Sequence, residues 1–365
     1  MKINQVRQPL LSIIIPIHNG ENEIARCLNS IYSHNITQEQ LEVICVDDAS
    51  TDETYKLLSM WKNNKENLRI IRHGQNKRQG GARNSGMNIA QGKYVTFLDH
   101  DDVYVPGGLE NVINLLSQLE RQNPGHSLDI LMFDYIKSDD PDKKMNYSHN
   151  SPEMMPGYSF LSQQECSWYV WHYLYRMEYL RSKQRKFREY VLFEDSDFIL
   201  GVLAHAHRVQ YIPMPLVCYF VSGTRIGQTT ASDMQKLIDQ RLLSCMAIKN
   251  EARIMNHADA VEGVRRGGGG GGGGGGGINI AYKELMKHFS YKYGYIIMES
   301  LWRFSYAKRR ELIKTHPAYY EGFPSRKEDF LTFLAYRFPT ALNITISLGK
   351  PILYILLQFH RYFKK

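Results

Sequence analysis

LSIIIPIHNGENEIARCLNSIYSH, residues Leu11 to His34, changes its period in mid-course. The first seven residues are apolar without alternation and rich in β-branched side chains, the pattern of a strand buried on both faces. After the polar break at His18 and Asn19, apolar residues recur at Ile24, Cys27, Leu28 and Ile31, which is the spacing of one helical face. The same unit then repeats. LEVICVD reads as a strand and TDETYKLLSMW, opening on Thr51 and Asp52, as a helix; LRIIRH is a strand, GGARNSGMNIA a helix, and YVTFLD a strand again. Alternation of this kind implies an α/β fold with a mostly parallel sheet flanked by helices. Such sheets bind ligands beyond the carboxyl ends of their strands. Each strand here ends in polar residues: His18 and Asn19, Asp47 and Asp48, His73, and Asp99 to Asp102. The four sets are expected to converge on one crevice.

Beyond Pro106, GGLENVINLLSQLE predicts a helix and LDILMFDYI a strand, followed by a polar loop and an aromatic-rich stretch from Cys166 to Leu200. Gly267 to Gly277 are eleven consecutive glycines, from which no core can be built. They are either a flexible linker or a stand-in for a replaced segment.

The chain has 365 residues and 43% hydrophobic residues, enough for one large domain with an appendage or for two domains. No apolar run approaches the roughly 20 residues of a membrane-spanning helix. Pro16 and His18 interrupt the first apolar stretch too early for a signal peptide, so the expected location is the cytoplasm. The five cysteines, Cys27, Cys45, Cys166, Cys218 and Cys245, are scattered and read as small buried hydrophobes. The net charge is +8, and from Leu301 to Lys365 twelve Lys or Arg face four Asp or Glu, so the tail carries the whole surplus. A body that is formally neutral argues against nucleic acid as a partner.

Two constellations carry chemistry. Asp47 and Asp48 end the second strand, where carboxylates accept bonds from a base or ribose, whereas Ser50 and Asp52 are expected as helix caps. FLDHDD, Phe97 to Asp102, places three carboxylates within four positions at a strand end. Carboxylates two apart, Asp99 and Asp101, suit a hard divalent cation such as Mg²⁺ or Mn²⁺ completed by substrate phosphates and water. His100 between them is expected at the surface. The glycine fingerprint of dinucleotide binders is absent after the first strand, which weighs against an oxidoreductase.

Taken together, LSIIIPIHNGENEIARCLNSI, VICVDDASTDET, GGARNSGMNIAQGKYVTFLDHDD and LFEDSDF resemble the nucleotide-sugar-dependent glycosyltransferases of family 2, which have the GT-A fold. The resemblance is continuous from about Leu11 to Glu110 and weaker from Ser167 to Thr230. It implies that Asp48 meets a uracil ring, that Pro16 and Asn19 line the nucleoside pocket, that Arg83 lies near the nucleotide, and that Asp99 and Asp101 hold ribose and Mn²⁺ or Mg²⁺ at the diphosphate. Asp195 in FEDSDF matches the family's base, and at the unperturbed Asp pKa of about 3.9 it would be ionised at neutral pH. Arg225 in YFVSGTRIGQTT is a candidate phosphate contact. His172 and Tyr173 stand where many relatives have Asn and Lys, so acceptor contacts do not carry over there.

The expected organisation is a catalytic domain over 1–235, with a nucleotide-sugar half at 1–110 and an acceptor half at 111–235. A helical segment at 236–266, the glycine run at 267–277 and a basic helical region at 278–365 follow. The expected function is inverting transfer of a hexosyl or N-acetylhexosaminyl group from a UDP-sugar to a saccharide or lipid-linked acceptor in surface polysaccharide synthesis. A non-catalytic sugar-nucleotide-binding module and a nucleotidyltransferase on a similar sheet are the alternatives. The tail joins an apolar stretch, Pro351 to Phe359, to a basic end, His360 to Lys365, and is expected to attach peripherally to an anionic membrane surface.

Overall fold

The computed structural model describes residues 8–37, 39–122, 128–137, 153–164 and 167–220, with seven helical residues between 240 and 251. The chain forms two compact units, Met1–Gln228 and Thr229–Lys365, and the second contains those seven residues. The glycine run, the basic tail, Arg225, Cys166 and Cys245 lie outside the described residues.

The first unit begins with β1 (Leu11–Ile17), α1 (Ile24–Tyr32), β2 (Leu41–Asp47), α2 (Thr54–Asn64), β3 (Leu68–Arg72), α3 (Arg78–Ile89) and β4 (Tyr94–Phe97). It continues with β5 (Val103–Tyr104), α4 (Gly108–Gln122), β6 (Ile130–Lys137), α5 (Gly157–Gln163), β7 (Tyr173–Arg176), α6 (Met177–Ser182), α7 (Glu194–His205) and β8 (Val209–Tyr219). Among the described residues, eight strands make one sheet in the order β3-β2-β1-β4-β7-β6-β8-β5. β3, β2, β1 and β4 are parallel, whereas β7 runs antiparallel to both β4 and β6. Strand order reverses between β1 and β4, the place where open α/β sheets leave a crevice for a ligand.

β1 and β2 are buried at every position, as expected of strands covered by helices on both faces. The buried residues of α1 are Ile24, Cys27, Leu28 and Ile31, the set that the helical spacing picks out. Cys27, Cys45 and Cys218 are buried, filling apolar space. Pro16 is tolerated in a central strand for a geometric reason. It has the parity of Ile14, whose carbonyl accepts the Leu98 N–H on the β4 side, and pairing with β4 ends at Ile14. Its missing N–H therefore faces a side where no strand remains.

The third helix starts at Arg78, earlier than the glycines that were expected to open it. Those glycines allow close approach instead. A Cβ on Gly86 would lie 2.4 Å from Ile14 Cγ2 of β1, and one on Gly80 would lie 2.2 Å from the Arg188 carbonyl oxygen. With only hydrogen at Gly86 α3 lies against β1, with only hydrogen at Gly80 it meets the Arg188 segment, and Arg83 between them is buried.

Candidate active site

The carboxyl ends of β1, β2 and β3 are fastened to one another. The Asn19 N–H donates to Ser50 Oγ at 3.0 Å, and Asn19 Oδ1 accepts the Thr51 N–H at 2.9 Å. Asp48, 3% exposed, accepts through Oδ1 from the Lys77 N–H at 2.8 Å and pairs with His73 Nδ1 at 2.7 Å. Asn19 and Ala49 are left-handed, with φ of 54° and 59°, conformations that cost non-glycine residues on the order of 1–3 kcal/mol and gather at functional sites. Pro16 is buried within β1, whereas Asn19 is exposed. Asp47 is structural: its Oδ1 accepts the Ser50 N–H at 2.9 Å, and its other oxygen is 3.2 Å from Arg72 Nε in an ion pair without hydrogen-bond alignment. Ser50 is not the expected cap, because its hydroxyl is taken by Asn19; Asp52 does hold the Thr54 N–H at the start of α2.

Arg83 was expected beside the nucleotide; the structure buries it completely. Its Nη1 donates to Glu194 Oε1 at 2.7 Å and to Asp195 Oδ1 at 2.6 Å, and its Nη2 donates to Asp99 Oδ1 at 3.0 Å. The rings of Phe97 and Phe187, packed edge to face on each other, lie 5.9 and 5.4 Å from the guanidinium on one side. Its Nη2 also donates to Gln79 Oε1 at 3.3 Å, its Nε has no hydrogen-bond partner, and its two terminal nitrogens hold Asp99, Glu194 and Asp195 together. Burial alone would lower its pKa, but the charges of Asp195, Asp99 and Glu194 outweigh burial and hold it above the ordinary arginine value. Asp99 and Asp195 keep 21% and 22% of their side chains exposed, while Glu194 keeps 5%. Phe193, left-handed at φ 62°, turns the chain into α7, whose first turn presents Asp195. Asp195 does not have the ordinary carboxylate pKa expected from its type. Burial pushes it well above that range, with Arg83 opposing and the nearby Glu194 and Asp99 adding to the rise.

The three carboxylates of FLDHDD separate into three environments. Asp99 joins Arg83, and Asp101 is half-buried with its carbonyl bonded to Arg26 Nη2 at 2.7 Å. Asp102 is buried, accepts the Phe220 N–H at 3.0 Å, and is pushed up to about 8 by burial first and by the charge of Asp99 second. At neutral pH it is predominantly a protonated acid holding β8 to this segment. The Arg26 guanidinium lies 4.0 Å over the Phe220 ring and braces the same junction. His100, expected at the surface, is buried instead, because its ring occupies the space where Gly20 has no side chain; a Cβ there would be 2.6 Å from His100 Cδ2. Among the described residues no three His, Cys, Asp or Glu side chains form a complete metal cage.

His172 is buried against Tyr135, with ring centroids 4.9 Å apart, and burial lowers its pKa to about 4. It is therefore neutral. Sequence reading missed Arg26, which looks like any polar residue of α1, and the pairing of Glu194 with Arg83, for which the FEDSDF cluster was the only signal.

An open, mostly parallel sheet flanked by helices, with DxD carboxylates beyond its strand reversal and a further carboxylate brought to them from α7, defines the GT-A class of fold. Residues 12–184 match the Glycosyl transferase family 2 model. Asp195 lies beyond the matched residues. Relatives include the glycosyltransferase EpsJ of Bacillus subtilis, 30% identical over 219 residues that cover 58% of this chain and 61% of EpsJ. The poly(ribitol-phosphate) beta-glucosyltransferase of Bacillus spizizenii is 41% identical over 93 residues, 25% of this chain and 15% of that protein. The chain thus spans less than two thirds of either relative. The crystal structure of S. aureus TarS 1–349 in complex with UDP-GlcNAc superposes with a TM-score of 0.53 at 18% identity, over 79% of this chain and 83% of that one, a likeness of fold.

Proposed function

We propose that the chain moves a hexosyl or N-acetylhexosaminyl group from a UDP-sugar to a hydroxyl of a saccharide or lipid-linked acceptor, with inversion, in surface polysaccharide synthesis. The observation that carries this reading is the Arg83 guanidinium, bonded at once to Asp99 of the DxD and to Asp195 of α7. Residues far apart in sequence thereby present a donor-side carboxylate and a proton acceptor at one crevice. The acceptor oxygen attacks the anomeric carbon, Asp195 takes its proton, and the bond to the diphosphate breaks with the electron pair leaving on phosphate oxygen. One displacement inverts the centre. Asp48 and Asn19 stand on the nucleoside side; the likeness of Asp48 to the uracil-binding carboxylate supports UDP. The name of the Bacillus spizizenii relative supports a surface polymer as product.

The residues present fit Mg²⁺ or Mn²⁺. Asp99, partly exposed with one oxygen on Arg83, and half-buried Asp101 would supply hard oxygen ligands to an ion completed by diphosphate and water. Such an ion neutralises charge on the departing diphosphate. A hydrolysis and transfer panel of UDP- and GDP-sugars, with Mn²⁺, with Mg²⁺ and in excess chelator, tests the reading. Wild type is expected to turn over a UDP-sugar only with metal. Asp101→Asn should lose that turnover at an unchanged unfolding midpoint, since a half-buried strand-end carboxylate is not core, and Asp99→Asn should lose less. Turnover of no donor, or full rates in chelator, would overturn the proposal.

The tail supports peripheral attachment to the cytoplasmic leaflet, where a lipid-linked acceptor is met. Among the described residues no helix is long and apolar enough to cross a membrane. Basic residues beside apolar and aromatic ones are attracted to anionic lipid by about 1 kcal/mol each near the surface. Removing residues from Lys350 onward should release the protein from anionic vesicles at low salt while donor hydrolysis persists; equal vesicle binding by both forms would refute this.

A further inference from the structure

The aromatic residues left unused by this chemistry form an ordered group. The Tyr169 ring stacks on Trp171 with centroids 4.9 Å apart and planes 12° apart, and Tyr219 stacks on the same indole at 5.9 Å and 22°. Tyr169 and Tyr219 are only 5.7 Å from each other, so both lie on one face of Trp171 rather than sandwiching it. Tyr135 braces the group edge-on, 5.2 Å from Trp171 at 80°. Trp171 is buried at 2%, whereas Tyr169 is 38% exposed. Trp171 belongs to the core, and the two phenol rings stacked on it stand at its edge, Tyr169 exposed and Tyr219 partly buried.

Its position ties it to the site. Tyr219 ends β8, and the next residue, Phe220, donates its N–H to Asp102 beside the DxD.

We propose that Tyr169 and Tyr219 are a stacking platform for a pyranose ring of the acceptor saccharide, an assignment that rests on the transferase reading above. The axial C–H groups of a pyranose carry partial positive charge and lie against the negative face of an aromatic ring. Tyrosine offers such a face with only two side-chain torsions to immobilise. The platform adjoins the DxD segment, the diphosphate end of the proposed site, rather than the Asp48 and Asn19 nucleoside end, and binding that persists under saturating donor assigns its ring to the acceptor.

Saturation-transfer NMR on the full chain tests it, with methyl β-glucopyranoside, methyl β-galactopyranoside and methyl N-acetyl-β-glucosaminide as probes and sorbitol as a ring-free control. At least one pyranoside, but not sorbitol, should receive saturation from wild type. Tyr169→Ala and Tyr219→Ala should each weaken its binding at least tenfold while UDP binding by calorimetry is kept, and Tyr169→Phe and Tyr219→Phe should retain it, since the ring and not the hydroxyl stacks. Binding should persist when the donor found in the hydrolysis panel is saturating. The proposal is overturned if no pyranoside binds, if sorbitol binds equally, if the alanine variants bind like wild type or lose UDP as well, or if the donor displaces the pyranoside. Pyranoside binding to the platform without any UDP binding would sink the transferase reading and leave the platform standing.

Discussion

Replacing Asp195 by Asn is expected to lower sugar transfer by about 10²–10⁴-fold, the usual span of a general base, while UDP binding stays near the wild-type value. The amide preserves the shape of the side chain and a possible bond to Arg83 but cannot accept the proton that the acceptor hydroxyl releases. Asp195 is the member of its cluster suited to this work, because it keeps 22% of its side chain exposed where Glu194 keeps 5%. The pH profile carries the same signature. Burial raises the Asp195 carboxyl, so the acid limb of the transfer rate should lie above the ordinary carboxylate range and vanish in the variant. Single-turnover transfer and UDP calorimetry measured together decide it; a variant keeping more than a tenth of the rate would move the base to Glu194 or Asp197.

Arg83→Met should cost about 3–5 kcal/mol of stability and abolish transfer, because removing one partner of a buried ion pair leaves uncompensated charge. Here the loss is threefold: Asp99, Asp195 and Glu194 would face one another without a cation. Lysine is not an adequate replacement, since one ammonium cannot reproduce a planar fork that meets three carboxylates. The pH dependence has a definite sign. In wild type the folded-state pKa of Asp195 is raised above its unfolded value, so the stability it contributes is complete in acid and is lost as pH rises through the folded pKa. Without Arg83 the protonated form of Asp195 is favoured further, so the variant should lose stability more steeply than wild type as the pH is raised from about 5 to about 8. Denaturant unfolding at both pH values measures this, and parallel curves for the two proteins would show that Arg83 does not hold the carboxylate cluster.

The alternation of elements was legible because strand and helix periods are local. Ile13 to Ile17 leave no polar face for solvent, and Ile24, Cys27, Leu28 and Ile31 line up on one side of a helix whatever the rest of the chain does. The polar strand ends and the DxD were legible for the same reason, since their spacing is contained in a few residues. What each of those polar residues does was decided only by tertiary structure. Gly86 lets α3 approach β1 and Gly80 admits the Arg188 carbonyl, and the Arg83 guanidinium between them meets carboxylates of two distant segments. Three neighbouring aspartates became an ion-paired, a half-buried and a neutral group, and His100 became a core residue opposite Gly20. Desolvation and Coulomb energies depend on which distant groups share the same few ångströms, and no local period carries that information.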